Sequence, residues 1–126
     1  MKVSEYIDTV NTRFKKGKIK EKSYIRDLEK LLNTLLPNTS VTINPNSIKY
    51  GGPNLTISQN GLPIGFIKTT DLGTDLNELD GTKDVIRHKA YLSNLITTNY
   101  IDFQWFRNGS LFTSFSIGQI KRNELG

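Results

Sequence analysis

The chain has 126 residues and a formal net charge of +5 at pH 7, a size that suits one compact domain. Hydrophobic residues make up 36% and charged residues 23%, which is too apolar for a disordered chain. No apolar run approaches the roughly 20 residues of a membrane span. We therefore expect a single domain over residues 1–126, with an N-terminal helix and basic loop over 1–19 and a core over 20–118.

The absence of cysteine excludes disulfides, thiolate zinc sites, iron–sulfur clusters and cysteine catalysis. The one histidine, His88, rules out a multi-histidine metal site, and any serine-type triad would have to use it. The first ten residues lack the unbroken apolar core of a secretory signal, which predicts a cytoplasmic protein without a membrane partner.

Charge is unevenly distributed along the chain. The basic residues between positions 15 and 26 surround a single acid and are Lys15, Lys16, Lys18, Lys20, Lys22 and Arg26. The stretch from 71 to 84 is acidic, with Asp71, Asp75, Glu78, Asp80 and Asp84 against Lys83. A polyanion such as DNA could contact the first stretch and would avoid the second. The basic stretch is equally typical of a solvated face.

Apolar residues at helical spacing predict the first two elements. The stripe from Val3 to Phe14 predicts a helix that ends near Gly17. A broader leucine-rich stripe predicts a second helix from Ser23, its expected N-cap, to Leu36 before Pro37.

Beyond the second helix the apolar period changes to two, which predicts short strands. Asn60-Gly61 and Asn108-Gly109 each predict a tight hairpin turn. Residues 71–81 are polar and predict a loop, and Thr82 predicts the cap of a helix over 83–92 that crosses between strands. The expected fold is α/β, a mixed sheet flanked by helices with an extra C-terminal hairpin.

Several segments, in unbroken order from about Lys20 to Leu111, resemble one protein family. They are Glu21-Lys-Ser-Tyr24, Gly52-Pro-Asn-Leu-Thr-Ile57, Asn60-Gly-Leu-Pro-Ile-Gly-Phe-Ile-Lys68, Asp71-Leu-Gly-Thr-Asp-Leu76 and the run from Asn94 to Gly109. The chain resembles the N-terminal PD-(D/E)XK nuclease domain of bacterial fused restriction-modification proteins, which carry an adenine DNA methylase downstream. The resemblance implies a restriction-endonuclease-like fold, DNA as a partner, a methylase domain or subunit as another, and Mg²⁺ in the parent family.

In that class a helix acid, an Asp after Pro and a Glu-X-Lys hold a divalent metal and orient a water. By resemblance Glu21 matches the helix acid and Asn54 matches the Asp. Lys68 matches the Glu of the Glu-X-Lys, and Thr70 matches its Lys. Compared with the family's Asp, Glu and Lys, the residues Asn54, Lys68 and Thr70 change the local charge from −1 to +1 and remove both strand carboxylates. We therefore expect no metal cofactor and no cleavage through this site. The family also tends to have an amide at position 84 and an Asp before Tyr100, where this chain has Asp84 and Asn99.

The pairing register of the two strands joined at Asn60-Gly61 decides whether Asn54 and Lys68 can lie on the same face of the sheet. A strict two-residue turn at Asn60-Gly61 would place Asn54 opposite Ile67, on the face away from Lys68. An irregularity near Pro63, which cannot donate to the ladder, would correct this.

Three functional hypotheses follow. In the first, an inactive nuclease-like domain binds duplex DNA through the basic residues of positions 15–26 together with Lys68. The alternative for Lys68 is a structural ion pair with Glu21. In the second, an active nuclease uses displaced carboxylates at Glu21, Asp71 and Asp75. In the third, the last hairpin binds a protein partner through its aromatic residues, which are Phe103, Trp105, Phe106, Phe112 and Phe115.

Overall fold

The structure, a computed structural model, describes residues 1–17 and 21–119. The helices are α1 (Val3–Lys16), α2 (Glu21–Leu35), α3 (Ser47–Tyr50), α4 (Leu76–Asp80) and α5 (Lys83–Tyr91). The strands are β1 (Ser40–Ile43), β2 (Leu55–Gln59), β3 (Leu62–Thr69), β4 (Asn94–Thr98), β5 (Asp102–Arg107) and β6 (Ser110–Ser116).

All six strands form one mixed sheet in the order β1-β2-β3-β4-β5-β6. β3 and β4 run parallel and every other neighbouring pair is antiparallel. The parallel pair is joined through α4 and α5, because parallel strands need a crossover connection. The α/β fold with a crossover helix and a C-terminal hairpin is therefore as expected from the sequence.

Both predicted hairpin turns are present. Asn60 and Gly61 have φ of 52° and 77°, and Asn108 and Gly109 have 50° and 84°. Two consecutive positive φ values define the turn whose twist matches paired strands, and Asn-Gly tolerates them best. The Asn-Gly signal thus identified β2–β3 and β5–β6 from local chemistry alone.

The sheet has a hydrophobic core on each face. One core packs α1 and α2 against the sheet, and it includes Tyr6, Leu28 and Ile67. The other packs α4 and α5 against the opposite face, and Phe66 packs beside it. Successive residues of β3 therefore serve different cores, as expected for the two-residue period of a strand.

Two boundaries expected from the sequence are wrong. The segment expected to be a loop over 71–81 contains α4, because Asp75 accepts a hydrogen bond from the Asn77 backbone at 2.9 Å and Leu76 and Leu79 are buried. Ser23 lies inside α2 rather than at its N-cap. Within the described ranges, no helix combines the length and the apolar character needed to cross a membrane.

Candidate nuclease-like site and nucleic-acid interface

The register of β2 against β3 decides how the family-site positions meet. Ile57 pairs with Gly65 but Ser58 pairs with Pro63, so Ile64 is an extra residue in β3. Leu55 consequently pairs with Ile67, and the backbone N of Asn54, just before β2, donates to the Ile67 carbonyl at 2.8 Å. The irregularity expected near Pro63 is confirmed.

Asn54, which the resemblance aligns with the family's aspartate, has a side chain that is held at both ends. The residue is only 2% exposed. Its Oδ1 accepts from the Thr69 backbone N at 2.9 Å, and its Nδ2 donates to Ser47 Oγ at 3.1 Å. The amide uses both its acceptor and its donor, so Asn54 ties β3 to α3 instead of offering a carboxylate.

Lys68, which the resemblance aligns with the family's glutamate, points to the α5 side of the sheet. Its Nζ donates to the Gly52 carbonyl at 2.9 Å and lies 4.0 Å from Asp84 Oδ2. Burial lowers the pKa of the Lys68 ammonium, and the negative charge of Asp84 opposes that shift. Asp84 in turn pairs with Arg87 at 3.1 Å.

The alternative in which Lys68 forms an ion pair with Glu21 is not found, since the ammonium lies beside Asp84 instead. The neighbouring Thr69 points to the other face of β3, and its Oγ1 donates to Glu21 Oε1 at 3.1 Å. Successive strand residues face opposite sides, and the negative charge of Glu21, after that of Asp84, still raises the pKa of Lys68 against the lowering caused by burial. Thr70, which the resemblance aligns with the family's lysine, donates its backbone N to the Thr98 carbonyl at 2.9 Å and adds no charge.

These positions do not fit a Mg²⁺ ion. Hard divalent cations need several oxygen ligands with negative charge, but an amide, an ammonium and a hydroxyl stand where two carboxylates and a lysine would be. In residues 1–17 and 21–119, no group of three or more histidine and acidic side chains is placed to hold a metal.

His88 and Asp84 are members of this site that the sequence did not assign. His88 is 6% exposed, its Nε2 has no hydrogen-bond partner among the described residues, and burial lowers its pKa, as do Lys68 and Arg87. Asp84 was visible only as a departure from the family pattern. Ser47 gave no sequence signal, since its role depends on the path of the chain between β1 and β2.

Only part of the displaced carboxylate set comes together. Glu21 and Asp71 line the same cavity, because the chain turns after β3. Asp75 instead caps α4 through the Asn77 backbone. The hypothesis that Glu21, Asp71 and Asp75 form one carboxylate centre stays a prediction, and the Asp75 side chain caps α4 instead.

The basic stretch lies at the end of α1 and the beginning of α2. Of its members, Lys15, Lys16, Lys22 and Arg26 are exposed, whereas Lys18 and Lys20 lie outside the described residues. Lys22 and Arg26 are four residues apart on α2, which puts them on one helix face. Among the described ion pairs none involves these exposed residues, and the nearby Arg13 is instead paired with Asp27.

The aromatic residues of the last hairpin divide between core and surface. Phe103 and Phe106 are buried, but Phe112 and Phe115 are 56% and 53% exposed. Trp105 contacts the Phe112 ring edge-on at 4.9 Å, and the Arg107 guanidinium lies 4.8 Å from the same ring. Partner binding by this hairpin stays a prediction.

Comparisons with known proteins bear on the fold. No protein-family model matches the sequence, and no curated protein matches it. Among solved structures, the cryoEM structure of the DrdV–DNA complex matches with a TM-score of 0.70 at 15% sequence identity. The match covers 94% of this chain and 12% of the DrdV chain. The fold is restriction-endonuclease-like. The restriction-endonuclease-like domain described here thus spans about an eighth of that relative's length.

Proposed function

We propose that this chain is a nuclease-like domain of a bacterial restriction-modification protein that associates with duplex DNA and does not cleave it through the family's metal site. The observation that carries the proposal is the exposed basic cluster, by which we mean Lys15, Lys16, Lys22 and Arg26, on a fold shared with a DNA-bound protein. Exposed, unpaired cations are the groups that neutralise phosphates.

The cluster is suited to phosphates rather than to bases. Each Lys or Arg that neutralises a phosphate releases condensed counterions, and this release drives binding without reading sequence. Two members come from the last turn of α1 and two from the first turns of α2, so the cluster spans the junction of two helices. Long, exposed side chains can adjust there to the spacing of a DNA backbone.

The loss of cleavage rests on the Lys68 ammonium. A cation placed about 4 Å from a Mg²⁺ position would cost roughly 8 kcal/mol at an effective dielectric constant near 20. Lys68 is held by its contacts with Gly52 and Asp84, so moving the ammonium away from the metal position would break both contacts. A methylase domain or subunit would then supply the chemistry of the complete protein.

The test is duplex-DNA affinity measured by fluorescence anisotropy across a salt series. The unmodified chain should show log K falling linearly with log salt concentration. The double variant Lys22→Gln/Arg26→Gln should bind more weakly at low salt, and its slope should be shallower by about 1.8, which is about 0.9 for each lost phosphate contact.

The matched control is Lys83→Gln, a loss of charge at an exposed lysine in the acidic stretch. It should leave both affinity and slope close to those of the unmodified chain. No binding at low salt, or a salt slope that the double variant does not change, would remove the proposal.

A further inference from the structure

The mixed sheet ends in two edge strands, β1 and β6, and one of these edges is blocked. β1 has four residues, and the backbone of Val41 in this strand is bonded to a side chain of α2. Asn33 accepts from the Val41 backbone N at 2.9 Å and donates its Nδ2 to the Val41 carbonyl at 2.9 Å. The Asn33 amide therefore stands where the backbone of a further strand would pair.

The opposite edge, β6, is longer and is open. It has seven residues, and the sequence from 108 to 120 contains neither a charged residue nor a proline. Ile117 N donates to the Ile101 carbonyl at 3.0 Å, so the alternation of an antiparallel ladder turns the N–H and C=O of Ser114 and Ser116 away from β5. Within residues 1–17 and 21–119, no side chain occupies these groups as Asn33 occupies those of Val41.

Natural edge strands are kept from pairing by lysine, proline, a bulge or a covering segment. The bulge of β6 lies towards its hairpin end, so the ladder with β5 is regular from Thr113 to Ser116. In this regular part Phe115 is 53% exposed, and its ring stacks on that of Phe103 with centroids 5.3 Å apart. The regular half of β6 therefore offers outward backbone groups next to an exposed aromatic ring.

We propose that two copies of this chain pair through β6 and form a dimer with one continuous sheet. A two-fold axis makes identical strands antiparallel, and each copy then offers the other the same donors and acceptors. With the axis at Phe115, Ser114 of one copy lies opposite Ser116 of the second copy, so the outward groups of both residues are bonded. The two Phe115 rings meet at the axis, on the face that carries Phe103.

A second copy fits this edge because the pairing closes at two chains. Pairing through β6 uses the open edge of both copies, and the outer edges of the dimer are then the two β1 strands, each blocked by Asn33. A sheet with two open edges would instead allow growth without an end. The uncharged run from 108 to 120 also brings no like charges together at the axis. A foreign strand would need a matching uncharged edge, which the second copy already has.

The dimer should be weak and should become stronger as salt is added. A pairing confined to one strand buries less than about 1,200 Å², the lower end for specific interfaces, which corresponds to a Kd in the micromolar range. Each copy has a net charge of +5, so the copies repel each other, and salt screens this repulsion. Binding to DNA has the opposite salt dependence. The failure of one proposal is therefore distinguishable from the failure of the other.

Sedimentation velocity without DNA, at chain concentrations from about 5 to about 500 μM, tests the dimer across the expected Kd. The unmodified chain should convert from monomer to dimer and form no larger species. Ser114→Lys, a change at an exposed residue, introduces the charge that natural edges use against pairing, and it should weaken the dimer at least tenfold. The matched control is Ser40→Lys on the blocked edge β1, which is also exposed and should dimerise like the unmodified chain. Circular dichroism establishes that each variant folds.

A cysteine cross-link tests the position of the axis. The chain has no cysteine, so Phe115→Cys introduces a single thiol. Directly opposite residues of a non-hydrogen-bonded antiparallel pair have Cα atoms about 4.5 Å apart, which a disulfide can span. Under air oxidation Phe115→Cys should form disulfide-linked dimers much faster than Tyr91→Cys, whose position on α5 is 82% exposed.

Four results would overturn the proposal. They are a chain that stays monomeric at every concentration, growth beyond dimers, a Ser114→Lys variant that dimerises like the unmodified chain, and cross-linking at position 115 no faster than at position 91.

Discussion

At the residue scale, two positions that depart from the pattern implied by the resemblance lie in contact. The resemblance implies a glutamate at Lys68 and an amide at Asp84. The structure places their charged groups 4.0 Å apart, with the Gly52 carbonyl completing the contacts of the ammonium. A lysine there without Asp84 would be a half-buried cation lacking its partner. The negative charge of Asp84 therefore offsets part of the cost of burying the Lys68 ammonium.

The pairing of Lys68 with Asp84 determines how cleavage could be restored. Asn54→Asp, Lys68→Glu and Thr70→Lys return the family's residues, but Lys68→Glu would then face Asp84 with like charge. We expect the quadruple variant that adds Asp84→Asn to nick supercoiled plasmid in the presence of Mg²⁺, where the unmodified chain shows no nicking. Agarose-gel assays measure this directly.

The control for this experiment keeps Lys68 while changing the other three positions, and it should remain inert because the cation still occupies the metal position. Circular dichroism establishes that each variant folds. A quadruple variant that is folded yet inert would show that the family-site positions are wrongly aligned.

At the element scale, α1 is joined to α2 by one partly buried ion pair. Arg13 Nε donates to Asp27 Oδ2 at 2.6 Å, and its Nη2 donates to Oδ1 at 3.2 Å. Asp27 is 3% exposed. Breaking such a pair from the arginine side leaves a buried carboxylate without its partner, which costs more than the pair contributes.

Arg13→Gln should therefore lower the free energy of unfolding by about 1.5 to 3 kcal/mol, the range for hydrogen bonds to charged groups. Urea denaturation followed by circular dichroism gives this value. Arg26→Gln, an exposed change on α2, should stay within about 0.5 kcal/mol. In the double variant Arg13→Gln/Asp27→Asn, part of the lost stability should return. A loss for Arg13→Gln no greater than that of the control would contradict the importance of this pair.

At the scale of the whole molecule, the sheet separates two chemical environments. The Lys68–Asp84 pair and His88 lie on the α5 side, and the cavity of Glu21 and Tyr100 lies on the α2 side. The basic cluster occupies the exposed ends of α1 and α2, far along the chain from the acidic residues of 71–84. The cavity that Glu21 and Asp71 line lies at the same junction of α1 and α2, and Asp71 is exposed.

The stability of the whole molecule should depend on pH through His88. Its pKa lies below the ordinary value of 6.5, first because of burial and then because Lys68 and Arg87 repel a further positive charge, while Asp84 opposes them. Since the unfolded chain then binds the proton more readily, folding stability should fall as pH falls below about 6.5. At neutral and higher pH the effect is absent.

Urea denaturation of the unmodified chain and of His88→Gln at several pH values between about 7.5 and 5.5 measures this dependence. The variant should lose less stability over this interval than the unmodified chain, because it removes the group that must be protonated. Parallel curves for the two proteins would show that His88 does not contribute.

The sequence by itself determined the features that depend on neighbouring residues. The stripes of α1 and α2, the two Asn-Gly turns, the Thr82 cap and the crossover through α5 all follow from local spacing and backbone preference. The bulge near Pro63 was also accessible, because a residue without an N–H cannot complete a regular ladder. The basic stretch was visible as composition, although its exposure was not.

Only the tertiary structure decided which side chains meet. Thr69 reaches Glu21 across 48 positions of sequence, and Lys68 reaches Gly52 across 16. α4 was likewise missed, because its Asp75 cap and the burial of Leu76 and Leu79 outweigh the polar composition of the segment. The physical reason is that contacts between distant segments depend on strand register and on which face of the sheet each residue takes.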